Sequence, residues 1–430
     1  MTIDNTVFSK IWQGTKNTLI VIFMVLFVIF LGNGLNLMGW SYLVQIRYYV
    51  LLAFACYALY FLYTIKYRNR HIPFKYYVLF LTVWPVSCHL SSLILGGTLS
   101  EDIIQSVPWL FVSTMFLIFY RFSFTEKKLL LILGIVAIIT VIIQIVQQVE
   151  PSLALFGDTT GENLADTLVS EERNGIIRLF VGCYLLQVLM LLFFWCKFMQ
   201  TFRIHWAILT GLLVYSVYIY LTKQILISVM ATLAISLFML QGRRIKAIAL
   251  LIMVVLCTVL LFFWDDLFGE LIQDSKDDSF SHAIRFEFIG YILQYFVTHP
   301  VQSIFGHGYS IPLIQEWIHK LYHLSDIGLF GEAFTLGWPW SLAYLCVAFR
   351  VFVTYRNKVP LYIRLYILCT GIISIFIFPY RNRIEMFTWI SVIYICSLHI
   401  SQEDNNDEEE NNDNNDEILN NDTNIQKQVS

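Results

Sequence analysis

Charged residues are scarce in this sequence, and the cysteine patterns that identify small stapled or zinc-binding domains are missing. Only 14% of the 430 residues are charged, whereas 57% are hydrophobic and the mean hydropathy is +0.65. A soluble chain of this length has no core large enough to hide so much apolar surface, which excludes a soluble protein. The eight cysteines lie mostly in apolar runs, which predicts reduced, buried thiols rather than disulfides or zinc ligands.

Signals for cleavage, nucleotide use and internal duplication are also lacking. The first apolar run, Asn17 to Leu35, is of spanning length and is not followed by a small-residue cleavage site, so we expect it to stay in the mature protein. A phosphate-binding loop and a sizeable predicted cytoplasmic domain are both missing, which argues against an ATP-driven pump. No internal repeat is visible.

Long apolar stretches dominate what is present. Twelve of them have about the length of a transmembrane helix. They are Asn17 to Leu35, Tyr42 to Ile65, Tyr76 to Gly96, Ile103 to Phe122, Leu129 to Val149, Gly175 to Trp195, Ile204 to Leu221, Gln224 to Leu240, Ile245 to Trp264, Gly337 to Val353, Leu361 to Phe378 and Ile384 to Ile400. The sequence therefore predicts an all-α, polytopic membrane protein of about twelve helices.

The positively charged residues are segregated between alternate connections, and this predicts the orientation. Nineteen of the 28 lysines and arginines fall on one side, which we assign to the cytoplasm together with both termini. The other nine fall on the outer side: Arg47, Arg173, Arg178, Lys223, Lys276, Arg285, Lys320, Arg381 and Arg383. The expected location is a bacterial cytoplasmic membrane.

Four regions follow from this pattern. Residues 1–264 contain the first nine helices, residues 265–336 form a large outer loop, residues 337–400 contain the last three helices, and residues 401–430 form a tail rich in Asn, Asp and Glu that we expect to be disordered. A patch with helical spacing in the loop predicts short amphipathic helices at or near the membrane surface. This patch consists of Phe286, Ile289, Leu293 and Phe296.

Arginines and lysines on the outer side are exceptions to the rule that basic residues stay on the cytoplasmic side, so each needs an explanation. Border cations can extend to the headgroups or pair with neighbouring glutamates. Alternatively, several converge on a phosphate group, for which the planar guanidinium is well suited. The candidates for diphosphate binding are Arg173, Arg178, Lys223, Arg285 and Arg381.

The large loop carries an ordered series of motifs. An arginine is followed by about fifteen residues of amphipathic helix, a proline, a Gly-x-Gly turn and a His-x-x-Asp-Ile-Gly segment that runs into a helix. The positions are Arg285, Pro300, Gly306, Gly308, His323, Asp326, Gly328, Gly331 and Gly337. This order, with about twelve helices and the loop before the last few, resembles the O-antigen polymerase and ligase superfamily.

Upstream motifs extend the resemblance from about Arg173 to Arg383. Arg173 and Arg178 beside Gly175 are similar to the arginine at the start of a mid-chain helix in that family. The segment LTKQILIS is similar to its Thr-x-Ser-Arg helix start, with Lys223 at the basic position.

The resemblance implies a metal-independent glycosyltransferase that uses undecaprenyl-diphosphate-linked oligosaccharides and needs no cofactor. Arginines would neutralise the diphosphate leaving group, and a base would act near the acceptor hydroxyl. The catalytic candidates are His323, Asp326 and Arg285, with His323 or Asp326 as the base. The expected partners are the lipid-linked glycan, the bilayer and possible flippase and chain-length regulator proteins, but not nucleic acid.

Each assignment has an alternative. His323 can simply pack the loop, and Asp326 can be a helix N-cap. Because Leu324 occupies the place of the asparagine that is usual in ligases, the segment favours a polysaccharide polymerase over a ligase. From other classes, a twelve-helix transporter or a receptor-like scaffold remains open, although the helix centres are almost free of the ionisable residues that transporters use.

Overall fold

The computed structural model describes residues 18–30, 49–50, 53, 72–96, 109, 114–150, 170–173, 176–179, 183–219, 223–239, 247, 279–308, 324–375 and 383–402. These residues are predominantly helical, with one short pair of strands.

The regular elements follow in chain order. They are α1 (Thr18–Phe30), α2 (Lys75–Ile94), α3 (residues 114–121), α4 (Glu126–Val149), β1 (Ser170–Arg173), β2 (Ile176–Leu179), α5 (Tyr184–Thr201), α6 (Ile204–Ile219), α7 (Lys223–Met239), α8 (Ser279–Thr298), α9 (Pro300–Phe305), a 3-10 turn (Leu324–Ile327), α10 (Gly328–Leu336), α11 (Trp338–Phe349), a π-helical turn (Arg350–Thr354), α12 (Leu361–Ile373) and α13 (Arg383–Gln402).

Several of these helices have the length and composition of membrane spans. Among the described residues, α4, α5 and α13 are long and apolar enough to cross a bilayer. Five shorter apolar helices, α1, α6, α7, α11 with its π turn, and α12, add to them. The apolar helices indicate a membrane protein. The predicted spans Tyr42 to Ile65 and Ile245 to Trp264 lie almost entirely outside the described residues, as does the predicted tail beyond Gln402.

A β-hairpin interrupts the predicted sixth span, so the prediction of a helix from Gly175 was wrong. Strands β1 and β2 pair antiparallel, with Arg173 opposite Ile176, and α5 begins only at Tyr184. Two residues, Asn174 and Gly175, separate the strands, and Asn-Gly is the pair that two-residue hairpins favour most. An apolar run shows burial but cannot by itself distinguish a strand from a helix.

Helix α4 shows how the sequence selects a buried face. Thr125 caps it, since its hydroxyl oxygen accepts from the Lys128 amide at 3.4 Å, and Glu126 in the first turn suits the positive end of the helix dipole. Its buried residues recur every three or four positions, whereas Leu131 and Ile142 on the opposite side are exposed. The exposed apolar side is the one that lipid would solvate.

One end of the helix bundle is held together by Glu126. The Tyr362 hydroxyl donates to one carboxylate oxygen at 2.6 Å, and His399 Nε2 lies 2.9 Å from the other. Near this end, the Ser397 hydroxyl donates to the Pro73 carbonyl oxygen at 3.1 Å. These contacts join the starts of α4 and α12 to the end of α13 and to the residues before α2.

Removing this carboxylate should loosen that end of the bundle. We expect Glu126→Ala to lower the free energy of unfolding by about 2 kcal/mol, because two hydrogen bonds to a partly exposed charged group are lost. Thermal unfolding in nanodiscs measures the effect. Glu150→Ala, which changes an exposed residue just after the same helix, is the matched control. Equal melting temperatures for the two variants would show that the contacts stabilise nothing.

Candidate functional site

Helix α8 forms one wall of the candidate site. It buries Phe288, Ile292 and Phe296, which are four residues apart, against the 3-10 turn and α10. Of the patch predicted from sequence, Phe296 is buried here, whereas Phe286 and Leu293 are exposed on an adjacent face of the helix. The location of this patch at the membrane surface stays a prediction. Two adjacent faces of α8 are both apolar, and spacing alone does not choose between them.

The Gly-His-Gly turn after α9 lies directly on the end of α10. The amide of His307 donates to the Phe334 carbonyl oxygen at 2.9 Å, and that of Gly308 donates to the Thr335 carbonyl oxygen at 3.0 Å. These bonds satisfy carbonyls that the end of a helix would otherwise leave unpaired.

Two glycines allow this contact. Gly306 has φ +78°, and a Cβ there would lie 2.3 Å from the Thr335 carbonyl oxygen. Gly337, with φ +83°, faces it, and a Cβ would lie 2.0 Å from the Ile304 carbonyl oxygen. Glycine is required at both positions for the conformation and for the backbone approach.

The other end of α10 is attached to the helices around it. The Leu329 amide donates to the Ser374 carbonyl oxygen at 2.9 Å, and the Ser341 hydroxyl donates to the Leu329 carbonyl oxygen at 3.1 Å. Gly331 permits the preceding turn to cross, because a Cβ there would lie 2.0 Å from the Leu324 carbonyl oxygen. Helix α10 is thus positioned by α11 and by the residue after α12.

A tryptophan from α2 completes the packing. The Trp84 indole N–H donates to the Leu336 carbonyl oxygen at 2.6 Å, and its ring stacks on Phe305 with centroids 6.0 Å apart. Trp84 lies halfway along the 20-residue α2. Residues of the predicted outer loop therefore contact a helix of the bundle at its middle.

Helix α8, the turn from Gly306 to Gly308 and the segment from Leu324 to Gly337 pack into one module, and His307 is its most enclosed polar side chain. Its ring is fully buried, stacks on Phe334 with centroids 4.1 Å apart, and places Nδ1 3.0 Å from the Phe334 carbonyl oxygen. Since a carbonyl only accepts, Nδ1 carries the hydrogen and Nε2 is the bare nitrogen. Burial lowers the pKa of His307 to about 4, against the raising effect of that hydrogen bond, so the ring is neutral.

This lowered pKa predicts acid sensitivity. Between pH 6.5 and 4 the unfolded chain binds a proton that folded His307 does not, so stability falls as the pH falls through this window. We expect a loss of about 2 kcal/mol from pH 7 to pH 5. Thermal unfolding across this range, repeated with His307→Asn, measures it.

Asparagine keeps a donor near Nδ1 but cannot titrate, so the variant should lose this part of the pH dependence. Gln294→Asn, which removes no titratable group from an exposed position on α8, should keep the pH dependence of the natural chain. Identical pH profiles for the natural chain and His307→Asn would contradict the assignment.

The predicted residues are distributed over two groups of elements. Arg285, half-buried, lies in the second turn of α8 rather than at its start, one turn before Phe288. Asp326 belongs to the 3-10 turn that packs on α8. The N-cap of α10 is Ile327, so the suggestion that Asp326 caps this helix was wrong. His323 and Arg381 lie outside the described residues.

The remaining predicted cations belong to other parts of the bundle. Arg173 and Arg178 are on the hairpin, where Arg178 pairs in register with Glu171 and β2 packs against α4 and α6. Lys223 is the first residue of α7, which packs against α12.

Three polar residues near these elements were assigned no catalytic or phosphate-binding role from the sequence. His307, Glu332 of α10 and Glu385 in the first turn of α13 are all buried. For His307, the signal in the sequence was the pair of flanking glycines, because they indicate a tight turn at this histidine. Within the described ranges, no three His, Cys, Asp or Glu side chains are grouped to hold a metal ion.

Comparison with known proteins adds no further constraint. No family model matches the chain, and neither a curated protein nor a solved structure does.

Proposed function

We propose that this chain is a polysaccharide repeat-unit polymerase of the cytoplasmic membrane. It transfers a glycan from undecaprenyl diphosphate to a sugar hydroxyl of the next lipid-linked repeat unit, on the outer face. The observation that carries the proposal is the packing of Arg285's helix, the Gly306–Gly308 turn and the segment from Leu324 to Gly337 into one module. These are the segments in which the resemblance lies, and they are separated in sequence.

The chemistry assigns roles to named groups. The acceptor oxygen bonds to the anomeric carbon as the bond from that carbon to the diphosphate breaks, and the hydroxyl proton passes to a base. His323 or Asp326 is that base in the proposal. Arg285 neutralises the departing diphosphate, with Arg173, Arg178, Lys223 and Arg381 as further candidates for phosphate binding. A buried, neutral His307 is assigned no proton transfer, because it orients the turn.

A deletion experiment tests the proposed reaction. Cells lacking the gene should carry single repeat units without long surface chains, and the natural gene should restore the chains. Full-length chains left on the carrier lipid would instead indicate a ligase of the same superfamily. Unchanged surface polysaccharide would refute both.

The proposed orientation places both termini in the cytoplasm and the module at the outer face. Cysteines introduced at Asp158, Ser275 and Gln315 should react with membrane-impermeant thiol reagents in intact cells, and those at Asn69 and Gln241 should not. Labelling at Asn69 before permeabilisation would overturn the orientation.

A further inference from the structure

Three polar side chains meet inside the bundle, at the ends of α4, α5 and α6 nearest the hairpin. The Gln187 amide donates to the Gln144 side-chain oxygen at 3.2 Å, and the Ser216 hydroxyl donates to the same oxygen at 2.5 Å. All three side chains are fully buried. One oxygen therefore accepts two hydrogen bonds from two other helices.

This cluster leaves one donor group and one acceptor unused. Gln144 Nε2 and Gln187 Oε1 have no hydrogen-bond partner among the described residues. Turning both amides over keeps the contact but leaves the Gln144 oxygen and the Gln187 nitrogen unpaired instead. Turning one alone would oppose two donors or two acceptors. In either consistent orientation, one amide nitrogen and one amide oxygen of this pair of glutamines are without a partner in the described part of the chain.

Such unpaired groups are costly where water is excluded. A buried amide without a partner destabilises the folded chain, and helix association in membranes normally uses polar side chains that satisfy each other. We infer that hydroxyl groups, from ordered water or from a bound ligand, bond to Gln144 and Gln187 where α4, α5 and α6 meet. A hydroxyl both accepts and donates, so it supplies either missing partner.

Other buried polar residues lie next to Gln144, so the unpaired amides belong to a larger polar site. Thr140 and Gln147 are buried on the same face of α4 as Gln144, one turn before and one turn after it. The Thr140 hydroxyl lies 3.5 Å from Cys183 Sγ, at the start of α5. Strand β2 packs against α4 and α6. The polar face therefore runs from the middle of α4 towards the hairpin.

Radiolytic labelling of the natural protein in nanodiscs tests whether water is present. Synchrotron X-rays generate hydroxyl radicals from ordered water, and oxygen-18 water marks the products for mass spectrometry. Cys183 is the reporter, and Cys396, equally buried but in another part of the bundle, is the internal control. We expect Cys183 to be oxidised about tenfold faster than Cys396, because ordered internal water would lie beside it.

A double substitution, Gln144→Met with Gln187→Met, separates the remaining outcomes. It removes both amides at nearly constant volume, and Ser216 can turn to the carbonyl four residues earlier. Fast labelling of Cys183 assigns water, and this labelling should be lost in the double variant. Slow labelling, together with a hydroxyl compound that is extracted from the natural protein but not from the double variant, assigns a bound ligand. Slow labelling without such a compound means that the amides are simply unpaired, which would overturn the inference.

Discussion

Arg285→Ala is expected to abolish long-chain polymer while the protein remains folded and at normal abundance in the membrane. A guanidinium binds a diphosphate through two parallel N–H bonds, and loss of such a group at a developing negative charge reduces turnover by about 100-fold or more. Arg285→Lys should recover little, because an ammonium restores the charge but not the fork geometry. The ladder of surface polysaccharide, normalised to membrane protein, is the measurement.

Gln294→Ala is the matched control for this variant. Gln294 is exposed and polar on the same helix and is not one of the motif positions that carry the resemblance. It should make polymer at the natural level. Long polymer from Arg285→Ala at the natural level would remove the main support for a transferase and would raise the transporter to first place.

The base is tested by the same assay. His323→Ala should also abolish polymer, whereas His323→Gln should keep substrate binding and lose turnover, since an amide forms hydrogen bonds but takes no proton. Retained activity in His323→Gln would transfer the role of base to Asp326.

Gly306→Ala and Gly337→Ala should each destabilise the module by about 3 kcal/mol or more, since a side chain would combine a positive φ with a collision against backbone. The Cβ of one would lie 2.3 Å from the Thr335 carbonyl oxygen and that of the other 2.0 Å from the Ile304 carbonyl oxygen. Neither obstacle is the mobile end of a side chain. Melting temperature and polymer formation should fall together.

Gly290→Ala provides the contrast. This glycine lies within α8, and a Cβ there would meet nothing within 4 Å. Because alanine is the better helix former, the variant should gain up to about 1 kcal/mol. If the Gly306 and Gly290 variants had equal stability, the close approach of the turn to α10 would be incorrect.

Within the described ranges, hydropathy predicted most of the apolar helices, because a long apolar segment in lipid satisfies its backbone N–H and C=O groups most readily within its own helix. The count of twelve spans stays a prediction. Hydropathy placed the start of α4 at Leu129, three residues after the observed start, because Glu126 and the two lysines that follow it are charged. It failed at Gly175, where the Asn-Gly pair outweighs the apolar residues that follow. A turn signal inside an apolar run is therefore more informative than the mean hydropathy.

The candidate site was predictable in order but not in geometry. The Gly-x-Gly motif indicated a tight turn, and Gly306 and Gly308 do adopt positive φ. The close contact of Gly306 with Gly337 was not predictable, because it depends on which backbone segments meet. His307 was given no role for the same reason, since its burial depends on contacts with Tyr295 and Phe334 that the sequence does not show.

The last three carbonyls of α10 impose an order on assembly. Those of Phe334, Thr335 and Leu336 accept from His307, Gly308 and Trp84, all of which precede α10 in the chain. During synthesis, every one of these donors has left the ribosome before the helix that needs it. The C-terminal end of α10 can therefore be capped as soon as the helix emerges, whereas the contacts of Leu329 at its other end wait for Ser341 of α11 and Ser374 after α12.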